Sequence, residues 1–124
     1  MNGRFLLDTN AVVGLLKGNA SLIQTLQAAT WIGISVITEL EFLSFPGLTT
    51  TDGSLFQQFK SRVEVIDLQA SNDKLLTCII EIRKLGKVKL PDAIIAAMAI
   101  ENNATLLTQN VGFSRMSLLS FQSF

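Results

Sequence analysis

The chain has 124 residues, the length of one domain, and its 48% hydrophobic and 16% charged content supports a core and excludes intrinsic disorder. Ten Lys and Arg offset ten Asp and Glu, so no overall basic field exists and any polyanion must be held by local charge. Histidine is absent and Cys78 is the only cysteine, which excludes histidine general bases, Ser-His-Asp and Cys-His catalysis, intramolecular disulfides and multi-Cys metal centres.

In chain order, residues 4–7 form a short apolar strand that runs straight into Asp8, Thr9 and Asn10, all favoured helix N-caps. A helix over 11–17 follows and closes at Gly18, and Asn19 caps a second helix with Leu22, Ile23 and Leu26 on one face. Residues 31–37 read as a buried strand. Thr38-Glu39-Leu40-Glu41 fits the capping-box pattern, which predicts a third helix from Thr38 to the Pro46-Gly47 break. A helix over 54–62 and a strand over 63–66 come next. Ser71-Asn72 can cap a longer helix with Leu75, Leu76, Ile79, Ile80 and Ile82 at helical spacing, ending at Lys84-Leu85-Gly86. Leu90-Pro91-Asp92 opens another helix, apolar on every side over 93–100 and therefore deeply buried. Residues 105–107 form a fourth strand, and 118–121 an edge strand.

Short apolar strands alternating with helices predict one α/β domain over 1–124, three layers deep, with a mostly parallel sheet of four to five strands. The N-terminus reaches Asp8 before any signal-peptide apolar region, and no apolar run approaches the ~18 residues of a membrane span, so a cytoplasmic protein is expected.

With histidine and thiolate chemistry excluded, any catalysis falls to carboxylates. Ligands of such sheets bind beyond the carboxyl ends of the strands. Asp8 follows strand one, Glu39 and Glu41 follow strand two, and Asp92 opens the buried helix that leads to strand four. Two carboxylates ~5 Å apart repel by roughly 3 kcal/mol at an effective dielectric near 20, so a converged cluster needs a proton, a base or a metal. All-oxygen ligands select Mg²⁺ or Mn²⁺. Each acid also has a plainer reading: Asp8 as a helix cap, Glu41 as the acid of the Thr38 capping box, Asp92 as a complement to the helix dipole. Glu39 and Glu41 point roughly 200° apart on a helix, so only one of them faces the others. Asp52, Asp67 and Asp73 read as turn or cap acids.

The motifs Leu6-Leu7-Asp8-Thr9-Asn10, Ile34-Ser35-Val36-Ile37-Thr38 with Glu41 three residues on, Leu90-Pro91-Asp92-Ala93-Ile94-Ile95-Ala96-Ala97, and Leu106-Leu107-Thr108 with Asn110, taken together and in order, resemble the PIN-domain signature set. The resemblance covers essentially the whole chain and is strongest to the VapC-type toxins, which are Mg²⁺-dependent ribonucleases. It implies a PIN-like, Rossmann-like fold. It also implies that Asp8, Glu41 and Asp92 are the catalytic acids, Glu41 being selected over Glu39 by the Thr-x-x-Glu spacing. Asp8, Asp92 and Asn110 would hold Mg²⁺ or Mn²⁺, and Glu41 would ligate it or orient the attacking water. Thr9, Asn10 and Thr108 would support them. The family's fourth acid is replaced by Asn110, which offers a carbonyl oxygen without charge, and Gly112 stands where another acid often occurs. Implied partners are an RNA substrate, a VapB-like antitoxin whose C-terminal segment enters the acidic groove, and a second copy in a homodimer.

Arg83, Lys84, Lys87 and Lys89 form the densest basic segment, three residues short of Asp92, and are candidate phosphate contacts; the plainer reading is a solvated helix end. Two other functions are open to such a chain. A PIN-like scaffold without catalysis would follow from the missing fourth acid. A phosphoacceptor receiver domain would need paired acids at strand one, an acceptor after strand three, where Asp67 stands, and a late Lys that this chain lacks.

Overall fold

The computed structural model describes residues 3–110, 112–113, 116 and 118–124. Strands and helices alternate as β1 (Arg4–Leu7), α1 (Thr9–Leu16), α2 (Ala20–Gln27), β2 (Trp31–Ser35), α3 (Val36–Leu43), α4 (Thr50–Lys60), β3 (Glu64–Ile66), α5 (Asp73–Lys84), α6 (Leu90–Glu101), β4 (Thr105–Leu107) and β5 (Phe121–Gln122). The five strands form one sheet in the order β3-β2-β1-β4-β5, and every pairing is parallel. Among the described residues, no helix is long and apolar enough to cross a membrane.

Side chains alternate across a strand, so β1 feeds two cores. Leu6 points into a cluster built with Leu75, Ile79 and Ile82 of α5 and the buried face of α6. Phe5 and Leu7 point the other way, onto Val12 of α1, Leu22 of α2, Phe42 of α3 and Phe56 of α4. Helices thus cover both faces of the sheet, as a parallel sheet requires. Each fully buried Leu, Ile or Phe contributes about 1.5–3 kcal/mol relative to exposure. The expectation for α6 holds in detail: every residue from Ala93 to Ala99 is buried. This helix ends in a Schellman turn, with Asn103 at φ 52°, Asn103 N–H donating to the Ile100 carbonyl at 3.1 Å and Ala104 N–H to Ala99 at 2.9 Å.

The structure corrects three sequence expectations. First, α3 begins at Val36, before Thr38, because Ser35 at the end of β2 supplies the cap: its Oγ accepts from Ile37 N–H at 3.0 Å. Thr38 is consequently a fully buried interior residue, and its hydroxyl has no hydrogen-bond partner among the described residues. Second, α4 starts at Thr50 instead of Ser54. Thr49 and Asp52 form a reciprocal capping box, Asp52 N–H to Thr49 Oγ1 at 3.0 Å and Thr49 N–H to Asp52 Oδ2 at 3.1 Å, which outweighs the ~1 kcal/mol cost of Gly53 inside the helix. Third, the edge strand is Phe121–Gln122; Leu118, expected to start it, is 83% exposed.

Candidate active site

In this sheet the chain moves outward from β1 to β2 and β3, then returns to place β4 on the other side of β1. Strand order therefore reverses beside β1, which opens a crevice at the carboxyl edge between β1 and β4. Asp8 N–H extends the ladder one residue past β1, donating to the Leu107 carbonyl at 3.2 Å, and so sets Asp8 at the head of that crevice.

Asp8 is 7% exposed and also caps α1, its Oδ1 accepting from Ala11 N–H at 2.8 Å. The cap reading of Asp8 holds, and that bond takes up only one of the carboxylate's two oxygens. Burial pushes the Asp8 carboxyl above the ordinary 3.8, and hydrogen bonds from Thr108 and Ala11 only partly offset this; the nearby Asp92 and Glu41 charges add to the rise. Glu41 comes from the second turn of α3 and accepts from Thr9 Oγ1 at 2.6 Å. Glu39 lies on another side of the helix, in an ion pair with Lys60 Nζ at 2.8 Å. The helical offset sends the two glutamates to different partners.

Asp92 sits in the first turn of α6, whose N-cap Lys89 makes no side-chain cap. The helix dipole favours a carboxylate there. Burial, and then the Glu41 charge, nevertheless raise the Asp92 carboxyl above its ordinary value, with Lys89 pulling the other way. Asn110 does not present the carbonyl oxygen expected of it. Its Oδ1 is turned to Gly112 N–H at 2.9 Å, and the group facing Asp92 Oδ2 is its amide nitrogen, at 3.4 Å. Because a backbone N–H must meet an acceptor, the Gly112 contact sets this orientation. Thr108 links the two sides: its hydroxyl hydrogen-bonds Asp8 and accepts Asn110 N–H at 3.0 Å.

Asp8, Glu41 and Asp92 share one cavity of about 430 Å³, closed by Thr9, Asn10, Ser44, Phe45, Pro46 and Ile95. None of the residues lining it is Lys or Arg. A second groove of about 320 Å³ shares Thr9, Asn10, Glu41 and Phe45 and continues over Val13, Leu16, Leu48 and Leu55. The donor set suits a hard divalent cation: oxygen ligands, two carboxyls whose charge is only partly compensated, and no Lys or Arg in the wall. As the side chains stand, no group of three His, Cys, Asp or Glu among the described residues is close enough to hold an ion together. Glu41 in particular is held by Thr9.

Of the basic segment, Lys89 acts on Asp92, and Lys87 lines a small recess with Asp92 and Asn110. Arg83 donates to the Val88 carbonyl at 2.6 Å and Lys84 pairs with Glu81 at 3.4 Å, and neither lines the carboxylate cavity. Asp52 and Asp73 lie in first helical turns and Asp67 accepts from Gln69, as their turn-and-cap reading expects. In the sequence Pro46-Gly47 reads as a helix break, and Ser44 and Phe45 are given no part in the site. The Pro46-Gly47 pair marks a turn but carries no signal that its neighbours line a cavity.

The PIN domain family matches residues 5–119. This chain belongs to that family. Its structure is similar to VapBC2 from Rickettsia felis bound to a promoter DNA fragment, with a TM-score of 0.82 and 29% identity over 97% of this chain and 98% of that one. A toxin–antitoxin complex from Klebsiella pneumoniae follows at 0.76 and 27%, covering 92% and 93%. DNA-bound VapBC from Salmonella typhimurium shares the fold at 0.79 and 22%, covering 97% of each. No curated protein matches the chain. Membership of the PIN family removes the receiver reading, and Asp67 accordingly lies outside the carboxylate cavity.

Proposed function

We propose that this PIN domain is a VapC-type toxin, a nuclease that hydrolyses RNA phosphodiester bonds with Mg²⁺ or Mn²⁺. The observation that carries the reading is the meeting of Asp8, Glu41 and Asp92 in one cavity at the sheet's switch point, with no basic residue in its wall. When bound, the cation supplies Lewis acidity at the scissile phosphate and makes a water a competent nucleophile near neutral pH. Asp8 and Asp92 are the residues to hold it, since theirs are the carboxyls whose burial outweighs what their protein partners offset. Glu41, oriented by Thr9, orients the attacking water and takes its proton, a role no histidine is present to fill. Thr108 and Asn110 keep the two aspartates in place, and Lys87 and Lys89 meet the phosphates beside the cavity.

The similar complexes from Rickettsia felis and Klebsiella pneumoniae support a VapB-like antitoxin as partner. The groove beside the carboxylates suits a segment with an apolar side chain over Leu16 and Leu55 and a basic one at Glu41. Exposed Ile80, Leu85 and Leu90 are available for a homodimer contact. The reading places the protein in the cytoplasm, where its RNA substrate lies.

The test is cleavage of single-stranded RNA by the purified protein. Cleavage with Mg²⁺ or Mn²⁺, lost on chelation and lost by at least about a hundredfold in Asp8→Asn and Asp92→Asn, is expected, a metal ligand being worth no less than its supporting residues. Activity that survives chelation overturns the metal mechanism. A folded protein that binds RNA without cutting it supports the non-catalytic scaffold instead, a reading favoured by the spread of the acids and the amide of Asn110.

A further inference from the structure

Phe45 is an anomaly at the lip of the site. An aromatic ring carries a large apolar area and is normally buried, yet Phe45 is 67% exposed. Its exposure is built in. Leu48 N–H donates to the Phe45 carbonyl at 3.1 Å, with Pro46 and Gly47 between them and Gly47 at φ 87°, which is a type II turn with proline and glycine in their required places. Phe45 N–H in turn holds the end of α3 through the Phe42 carbonyl at 3.4 Å. The ring is therefore carried on a backbone already fixed, so packing on it orders only its own two side-chain torsions.

That ring forms part of the wall of the cavity that holds Asp8, Glu41 and Asp92. The cavity wall itself offers a polyanion no cation, and its three carboxylates repel phosphate, so beyond Lys87 and Lys89 at its side a contact that binds without charge has the most to add there. Base–aromatic stacking is such an interaction and needs no particular base. We propose that Phe45 is the stacking platform for an unpaired nucleobase of the RNA chain, beside the phosphate to be cut; this rests on the RNA-hydrolase reading. Phe45 lines both the carboxylate cavity and the neighbouring groove, and a base is favoured over a peptide side chain because the groove has its own apolar floor in Val13, Leu16, Leu48 and Leu55, whereas the cavity has only Pro46 and Ile95 beside Phe45. The site would accordingly select strands whose bases can swing free and tolerate any base at the stacked position.

The experiment is fluorescence anisotropy in EDTA, so that binding is read without cleavage, with a short labelled single-stranded RNA and a duplex of the same sequence. Phe45→Leu is expected to bind the single strand about tenfold more weakly than wild type, Phe45→Trp to restore binding, and the duplex to bind all three proteins alike. Equal single-strand binding by wild type and Phe45→Leu overturns the proposal and leaves the ring to a protein partner. So does a Phe45→Trp protein no better than Phe45→Leu, since a larger aromatic must stack at least as well. Cleavage in Mn²⁺ by wild type against Asp8→Asn tests the hydrolase reading separately: stacking stands if binding falls in Phe45→Leu though no protein cleaves, and fails alone if cleavage is found and binding does not change.

Discussion

At Asn110 a single atom decides what the site offers. An aspartate would present a second oxygen where Asn110 presents an amide donor to Asp92 Oδ2, while its other oxygen could keep the Gly112 contact. Two carboxylates at that distance repel without a cation and attract one strongly, so the substitution exchanges apo stability for metal affinity. Asn110→Asp is expected to lower the melting temperature of the metal-free protein and to tighten Mn²⁺ binding about tenfold, equivalent to ~1.4 kcal/mol. Calorimetric titration checks this, and equal or weaker binding would sink it. Glu39 and Glu41 illustrate a simpler case, where helical spacing shows that the two must part and leaves open which way each one goes. Residues two apart on a helix diverge, and Glu39 finds Lys60 on one side while Glu41 finds Thr9 on the other.

For the elements, the decisive feature is which residue caps α3. The capping-box pattern puts the cap at Thr38, because local pattern does not show where the chain leaves the sheet. Pairing does: β2 lies in register with β1 through Leu7 and Ile34 and with β3 through Ile66 and Ser35, so the chain leaves the sheet at Ser35 and the helix begins there. Ser35→Ala is expected to cost about 1 kcal/mol, a fall of about 3–6 °C in melting temperature. Thr38→Val should be neutral or stabilising, because it removes a buried hydroxyl that has no partner among the described residues. If thermal melts gave the reverse order, α3 would start at Thr38, and Glu41 would move to its first turn.

Across the molecule, the cost of gathering acids at one edge appears in the pH dependence of stability. Burial raises the folded-state values of both Asp8 and Asp92 above the ordinary 3.8, so the metal-free fold binds these protons more tightly than the unfolded chain. Stability from these groups is then present below the unfolded value and lost as pH rises through the folded ones, the reverse of acids that are paired in the native state. Metal-free wild type should therefore lose less stability on acidification across that window than the Asp8→Asn/Asp92→Asn double variant. Because asparagine caps helices as well as aspartate, Asp8→Asn alone should melt no lower than wild type at neutral pH without metal. A saturating divalent cation, which holds the charged forms, should reverse the slope for wild type only. Melting curves over pH, with and without Mn²⁺, measure all of these; identical slopes would mean that the two carboxyls titrate alike in folded and unfolded chains.

Local chemistry was enough for much of this protein. Helical spacing placed α5, Pro91 ahead of an apolar run placed α6, glycine closed α1 and α5, apolar runs marked four strands, and acids directly after strands pointed to the edge where a parallel sheet binds its ligands. These features are written in neighbours a few residues apart. What needed the tertiary structure was every contact made across the sequence. The strand order that brings β4 beside β1 joins Asp8 to Thr108, the turn after β4 aims Asn110 at Asp92, and the end of α3 carries an exposed Phe45 into the wall of the same cavity. Their partners lie from 18 to about a hundred residues away in sequence, a separation at which composition and periodicity carry no distance information and only packing does.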